Sequence, residues 1–163
     1  MTLSVDPVLT LPPVPELSLG PLVFEWCQEY VRQPDGPDAG ERWQFTPEQI
    51  RFLHFLYAVD DRGRFLWSRS VLRRAKGWGK SPLMAALALA ELCGPVRFDG
   101  FNSAGDPVGV PASLPWVQIA GVSEKQTNNT MSMVLAMIAE SPIVDDYGLD
   151  PGLTRVFTAG GGK

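Results

Sequence analysis

At 163 residues the chain is long enough for one domain with a real core. Apolar residues at 45% against 20% charged place it among globular rather than disordered chains. A net charge of −4 and a pI of about 4.9 argue against a chain that grips DNA by itself, because neutralising phosphates needs clustered Lys and Arg. No apolar run reaches the length of a membrane span, and the opening Met-Thr-Leu-Ser-Val-Asp-Pro has no basic stretch ahead of an apolar one, so no membrane or secretion segment is expected. Cys27 and Cys93 stand far apart in apolar helical runs and read as buried thiols in a reducing cytoplasm, not as a disulfide or metal pair.

Residues 1–21 carry Pro7, Pro12, Pro13, Pro15 and Pro21 and read as an extended, polyproline-like arm, either a loose leader or a strap on its own domain or a neighbour. Leu22 to Arg32 suits a short amphipathic helix, and Gln33 to Gly40 is a loop. Thr46 is placed to cap a second helix that starts at Pro47, with Glu48 near its positive end, and runs to about Val59. His54 has no Cys or His at ligand spacing and reads as a partly exposed helix residue. Asp60-Asp61 follows apolar residues and imitates a magnesium-binding strand end, but the spacing fits the end of the second helix and a turn through Arg64.

Phe65 to Leu72 is an expected strand. It leads into Arg73-Arg74-Ala75-Lys76-Gly77-Trp78-Gly79-Lys80-Ser81, and an Ala/Leu-rich helix continues to Cys93, with Leu83, Leu87 and Ala90 facing a sheet. Strand, glycine-bearing loop ending Gly-Lys-Ser, helix is the setting of a phosphate-binding loop. Gly77 and Gly79 would let main-chain N–H groups, including that of Trp78, close around a polyphosphate. Lys80 would bridge the β- and γ-phosphates, and Ser81 would bind Mg²⁺ through its hydroxyl. Two departures stand out. Arg74 occupies the position of the usual first glycine, and Pro82 removes one N–H donor.

Arg97 to Pro115 is long for a connection and is expected to hold a short hairpin or an excursion. Trp116 to Ala120 reads as a strand, followed by a helix capped by Ser123 and running to about Glu140. Gln126, Asn128 and Asn129 belong to its solvated face or line a crevice. Asp145-Asp146 after Pro142 makes a poor strand end and a poor metal site, and Thr154 to Thr158 is a further candidate strand.

A basic residue before the loop glycines, no first glycine, then Gly-Lys-Ser and an Ala/Leu helix resembles the large terminase subunit of tailed bacteriophages. The passage from Trp116 to Thr127 also resembles that family's next strand-to-helix segment, and together the two cover roughly the middle third of the chain. The resemblance implies a genome-packaging ATPase with ATP and Mg²⁺ as cofactors. It gives Lys76 the role of the family's loop cation, with Arg74 and Arg73 as competitors. Phe45 and Gln49 resemble the family's adenine-recognition element: an aromatic stacks on adenine and a carboxamide reads its edge. The alternative for this pair is a cap and a core aromatic.

The implied fold is α/β, an incomplete parallel-sheet P-loop core (22–163) preceded by the arm and helices, with nucleotide at the carboxyl end of the strand before Arg73. The implied partners are a small terminase subunit, a portal and viral double-stranded DNA, with a homo-oligomeric ring when complete, in the host cytoplasm and not on a membrane. The acid that holds Mg²⁺ and the carboxylate that activates water have no convincing candidate, nor does a nuclease domain. The chain therefore reads as the first part of a terminase motor domain, split or truncated. Two other readings stay open: another P-loop enzyme, helicase-like or a small kinase, and a non-catalytic assembly protein with a degenerate loop.

Overall fold

The computed structural model describes residues 11–163. The start of the expected arm, Pro7 included, lies outside the described residues. The remainder of the arm is laid along the second helix. Arg51 donates to the Pro12 carbonyl, Val59 N to Leu17 O at 3.0 Å and Leu19 N to Tyr57 O at 3.0 Å.

The described residues hold five helices: α1 (Gly20–Tyr30), α2 (Pro47–Leu56), α3 (Lys80–Cys93), α4 (Glu124–Ile138) and the short α5 (Ile143–Asp146). The caps fall where local chemistry puts them. The Thr46 hydroxyl accepts from Gln49 N while Pro47 starts α2, and the Ser123 hydroxyl accepts from Gln126 N to start α4. Asp60 ends the α2 region as a turn residue. Its carboxylate accepts from Arg62 N and Arg64 N, both at 2.9 Å, and pairs with the Arg64 guanidinium at 2.8 Å.

The centre of the molecule is α3. Leu83, Ala85, Ala86, Leu87, Leu89, Ala90, Leu92 and Cys93 are all buried, so the helix is apolar nearly all round, as an interior helix must be. It packs on α4 and α1, while α1 crosses α2. That crossing is close: a Cβ on Gly20 would sit 2.8 Å from the Leu53 carbonyl. Both cysteines are free and buried, and burial pushes the Cys93 thiol up to about 12.

The sheet differs from expectation. The described residues hold two antiparallel pairs and no parallel sheet. β1 (Arg97–Phe101) and β2 (Pro107–Val110) form the hairpin anticipated in the long connection, and β3 (Asp150–Pro151) pairs with β4 (Val156–Phe157). The two expected strands, Phe65 to Leu72 and Trp116 to Ala120, form no ladder. Phe65 makes a lone bridge to Val59. The physical reason is pairing: a strand needs a neighbour for its N–H and C=O groups, and beyond Leu66 N, which donates to Ala58 O at 2.9 Å, residues 67–72 make no such main-chain bond to another described segment. Their apolar side chains consequently stay open, with Trp67 48% and Val71 90% exposed. Leu83, Leu87 and Ala90 therefore meet a helical core instead of a sheet.

Residues 115–120 keep the alternating burial of a strand. Val117 N donates to Lys163 O at 2.7 Å, and Lys163 N to Pro115 O at 3.0 Å. Bonds reaching either side of Trp116 have the spacing of parallel pairing, confined here to one residue. Among the described residues no helix is long and apolar enough to cross a membrane.

Candidate functional site

Residues 73–81 lead from the uncovered segment into the first turn of α3. Gly77 and Gly79 take φ of 84° and 89°, the left-handed region that glycine enters without steric cost. A Cβ on Gly77 would meet nothing within 4 Å, so only the backbone angle calls for glycine there; at Gly79 it would also come within 3.5 Å of Gln49 Nε2. Gly79 is the N-cap of α3, and its carbonyl accepts from Leu83 N at 3.1 Å. Pro82 lies in the first helical turn, where a missing N–H costs no intrahelical bond. The main-chain N–H groups of Gly77, Gly79, Lys80 and Ser81 donate to no main-chain acceptor outside the helices and strands of the described residues. Uncommitted amides beside left-handed glycines at the start of a 14-residue helix make a concavity suited to an anion.

Lys80 folds back on this bend, its Nζ donating to the carbonyls of Arg74 at 3.0 Å and Ala75 at 2.7 Å. An ammonium has three donors, so one remains. Ser81 is half-buried and lines a polar crevice of about 570 Å³ with Gly121, Ser123, Lys125, Gln126 and Asn129. The start of α4 thus faces the end of the phosphate-type loop. Asn128 instead lines a mostly apolar cavity of about 360 Å³ with Leu89, Trp116 and Val134.

The loop is fastened to the first turn of α2. Gln49 completes a reciprocal cap: its backbone N donates to Thr46 Oγ1 at 3.3 Å, and its Oε1 accepts from Thr46 N at 3.0 Å. The side chain is only 4% exposed, with Nε2 beside Gly79. Phe45 lies in the core, its ring 5.6 Å from those of both Phe24 and Trp43.

Glu48 is the residue that sequence reading passed over, allotting it only a favourable place near a helix end. In the fold it accepts from Arg74 Nη2 on Oε1 and from Trp78 Nε1 on Oε2 at 2.7 Å, and the Arg74 guanidinium lies over the Trp78 ring at 5.5 Å. The indole bond, ahead of the Arg74 bond and charge, holds the Glu48 carboxyl below its ordinary range despite some desolvation. Of the three cations weighed for the loop, Arg74 is bound into this cluster, whereas Lys76 and Arg73 are exposed. Asp145 and Asp146 close α5, and His54 is half-buried on α2. Among the described residues no group of three or more His, Cys, Asp or Glu is placed to hold a metal.

Taken together, the helical core, the hairpin excursion and the loop entering α3 define a mixed α/β protein with a terminase-like fold. The chain superposes on the crystal structure of the HK97 bacteriophage large terminase with a TM-score of 0.58 at 17% identity, over 82% of this chain and 23% of that one. In sequence it is similar to the Gene 13 proteins of Mycobacterium phages L5 and D29. Identity is 42% over 168 residues and 38% over 169, covering 92% and 93% of this chain. The chain spans 28% of the length of each of these two relatives. No family model matches the sequence.

Proposed function

We propose that this chain is the ATP-binding portion of a viral DNA-packaging motor, a terminase large subunit that couples ATP hydrolysis to movement of phage DNA into a capsid. One observation carries the reading: the bend at residues 77–81 leaves main-chain amides uncommitted at the head of α3, with Lys80 lying across it. The terminase-like fold and the phage relatives support it. In this reading the amides of Gly77, Trp78, Gly79, Lys80 and Ser81 cradle the phosphates. Lys80 exchanges its two carbonyl partners for phosphate oxygens. Arg74, with Lys76 exposed nearby, supplies further positive charge. Ser81 Oγ is the side chain that would hold Mg²⁺, which when bound neutralises charge on the β- and γ-phosphates. Gln49 Nε2 lies beside Gly79 on the α2 side of the loop.

DNA, a portal, a small terminase subunit and further copies in a ring are the partners this function needs, at work in the host cytoplasm. The net charge of −4 assigns the main grip on DNA to polypeptide other than these 163 residues. The test is a titration of ATP with and without Mg²⁺ into wild-type protein and Lys80→Ala. Magnesium-dependent binding in wild type, weakened at least about tenfold in the variant, supports the reading. No binding by wild type would leave a non-catalytic assembly protein as the better account.

A further inference from the structure

Glu48 holds two groups of the phosphate-type loop at once. Arg74 stands at the loop entry, and Trp78 lies between the two left-handed glycines. Both are drawn to the first turn of α2, one through its guanidinium and the other through its indole N–H. The post and the loop differ in rigidity. Beside Glu48, Gln49 is buried and pinned by the reciprocal cap, so the α2 turn is fixed. The Arg74 and Glu48 side chains are 40% and 50% exposed, so the guanidinium can leave the carboxylate with little change in hydration. Two cations beside the bend, Arg74 and Lys80, are thus engaged by protein oxygens.

We propose that Glu48 is a positioning residue that competes with bound polyphosphate for Arg74: its carboxylate holds the guanidinium and the Trp78 indole against α2, and the phosphate chain draws Arg74 away. The inference rests on the nucleotide reading above. A guanidinium fork satisfies one anion in good geometry at a time, and a triphosphate carries more charge than a carboxylate. Glu48 therefore lowers nucleotide affinity by occupying Arg74. In return it keeps Arg74 and Trp78 at one known place until the phosphate arrives.

The experiment is a double-mutant cycle on affinity for Mg-ATP, measured by calorimetry with wild type, Glu48→Gln, Arg74→Ala and the pair. Glu48→Gln keeps an acceptor for the indole and removes the charge. It is expected to bind about two- to fivefold tighter than wild type, the range open to an exposed ion pair. Arg74→Ala binds more weakly, and in that background Glu48→Gln gives no gain, which a purely structural role for Glu48 does not produce. Glu48→Asp, retaining the charge, stays within about twofold of wild type. Thermal melts confirm that each variant is folded. Binding by wild type with equal or weaker binding by Glu48→Gln overturns the competition and leaves the nucleotide reading standing. A gain that persists without Arg74 also overturns it, reducing Glu48 to a general charge effect. If neither wild type nor Glu48→Gln binds, both readings fall.

Discussion

Single side chains in this protein act mostly by closing turns, and Asp60 is the clearest case. Its two oxygens collect two backbone N–H groups and the Arg64 guanidinium. These bonds, the Arg64 main-chain N–H foremost, hold the carboxyl below its ordinary range. A lowered folded pKa means that the unfolded chain binds the proton more readily, so the stabilisation is complete above the ordinary carboxylate pKa of about 3.9 and fades as pH falls through the lowered folded value. Asp60→Ala is therefore expected to lower the melting temperature by about 2 °C between pH 5 and 7. The gap should close as the solution is taken from about pH 4 downward. A gap that stays constant into acid would mean that the turn does not depend on the ionised carboxylate. Sequence spacing placed Asp60 in a turn running to Arg64, and the fold has that turn.

At the scale of elements, the helices are fixed by close packing around α3. The α1–α2 crossing depends on Gly20, where an added methyl would meet the Leu53 carbonyl carbon and oxygen at 2.8 Å and His54 Cα at 2.9 Å. These are backbone atoms and cannot swing aside as a side chain would. Gly20→Ala should destabilise the protein by about 1–3 kcal/mol, read as a lower denaturant midpoint with an unchanged slope. An unaltered midpoint would show that the crossing is loose. The far ends of these helices are tied by polar groups: Trp26 Nε1 donates to the Tyr147 hydroxyl at 2.8 Å, and Arg32 N to Met137 O at 3.0 Å. Such ties join α1 to segments more than a hundred residues away and hold α4 against the core without any sheet between them.

At the scale of the whole molecule, Trp67, Val71 and Trp116, in the segments expected to be strands, are exposed, as is Val122 beyond them, Val71 and Val122 almost completely. Catalysis by a phosphate loop also needs a carboxylate to activate water and an acid on the metal. The sequence has no convincing candidate for either. The purified 163-residue chain is accordingly expected to bind Mg-ATP and to release little or no phosphate in a steady-state assay. Robust turnover lost in Lys80→Ala would sink this expectation and point to an acid elsewhere in the chain.

The sequence by itself marked out α1 to α4, the caps at Thr46 and Ser123 and the glycine-bearing bend, because each depends on residues a few positions apart, whereas α5 was not among the expected helices. Thr46, Pro47 and Gln49 make a cap wherever they stand, and Gly77 and Gly79 bend the chain from their own backbone freedom. The prolines and glycines of residues 97–115 likewise pointed to a hairpin or an excursion, and a hairpin forms there. What only the tertiary structure decided were the properties that need a distant partner. Residues 65–72 have a strand's composition, yet β structure exists only where a second strand supplies hydrogen bonds, and past the lone bridge from Phe65 to Val59 none does. Phe45 went to the core because Phe24 and Trp43 close around it. Glu48 gained its place beside the loop because Arg74 and Trp78 arrive from 26 and 30 residues away, a meeting that no local pattern encodes.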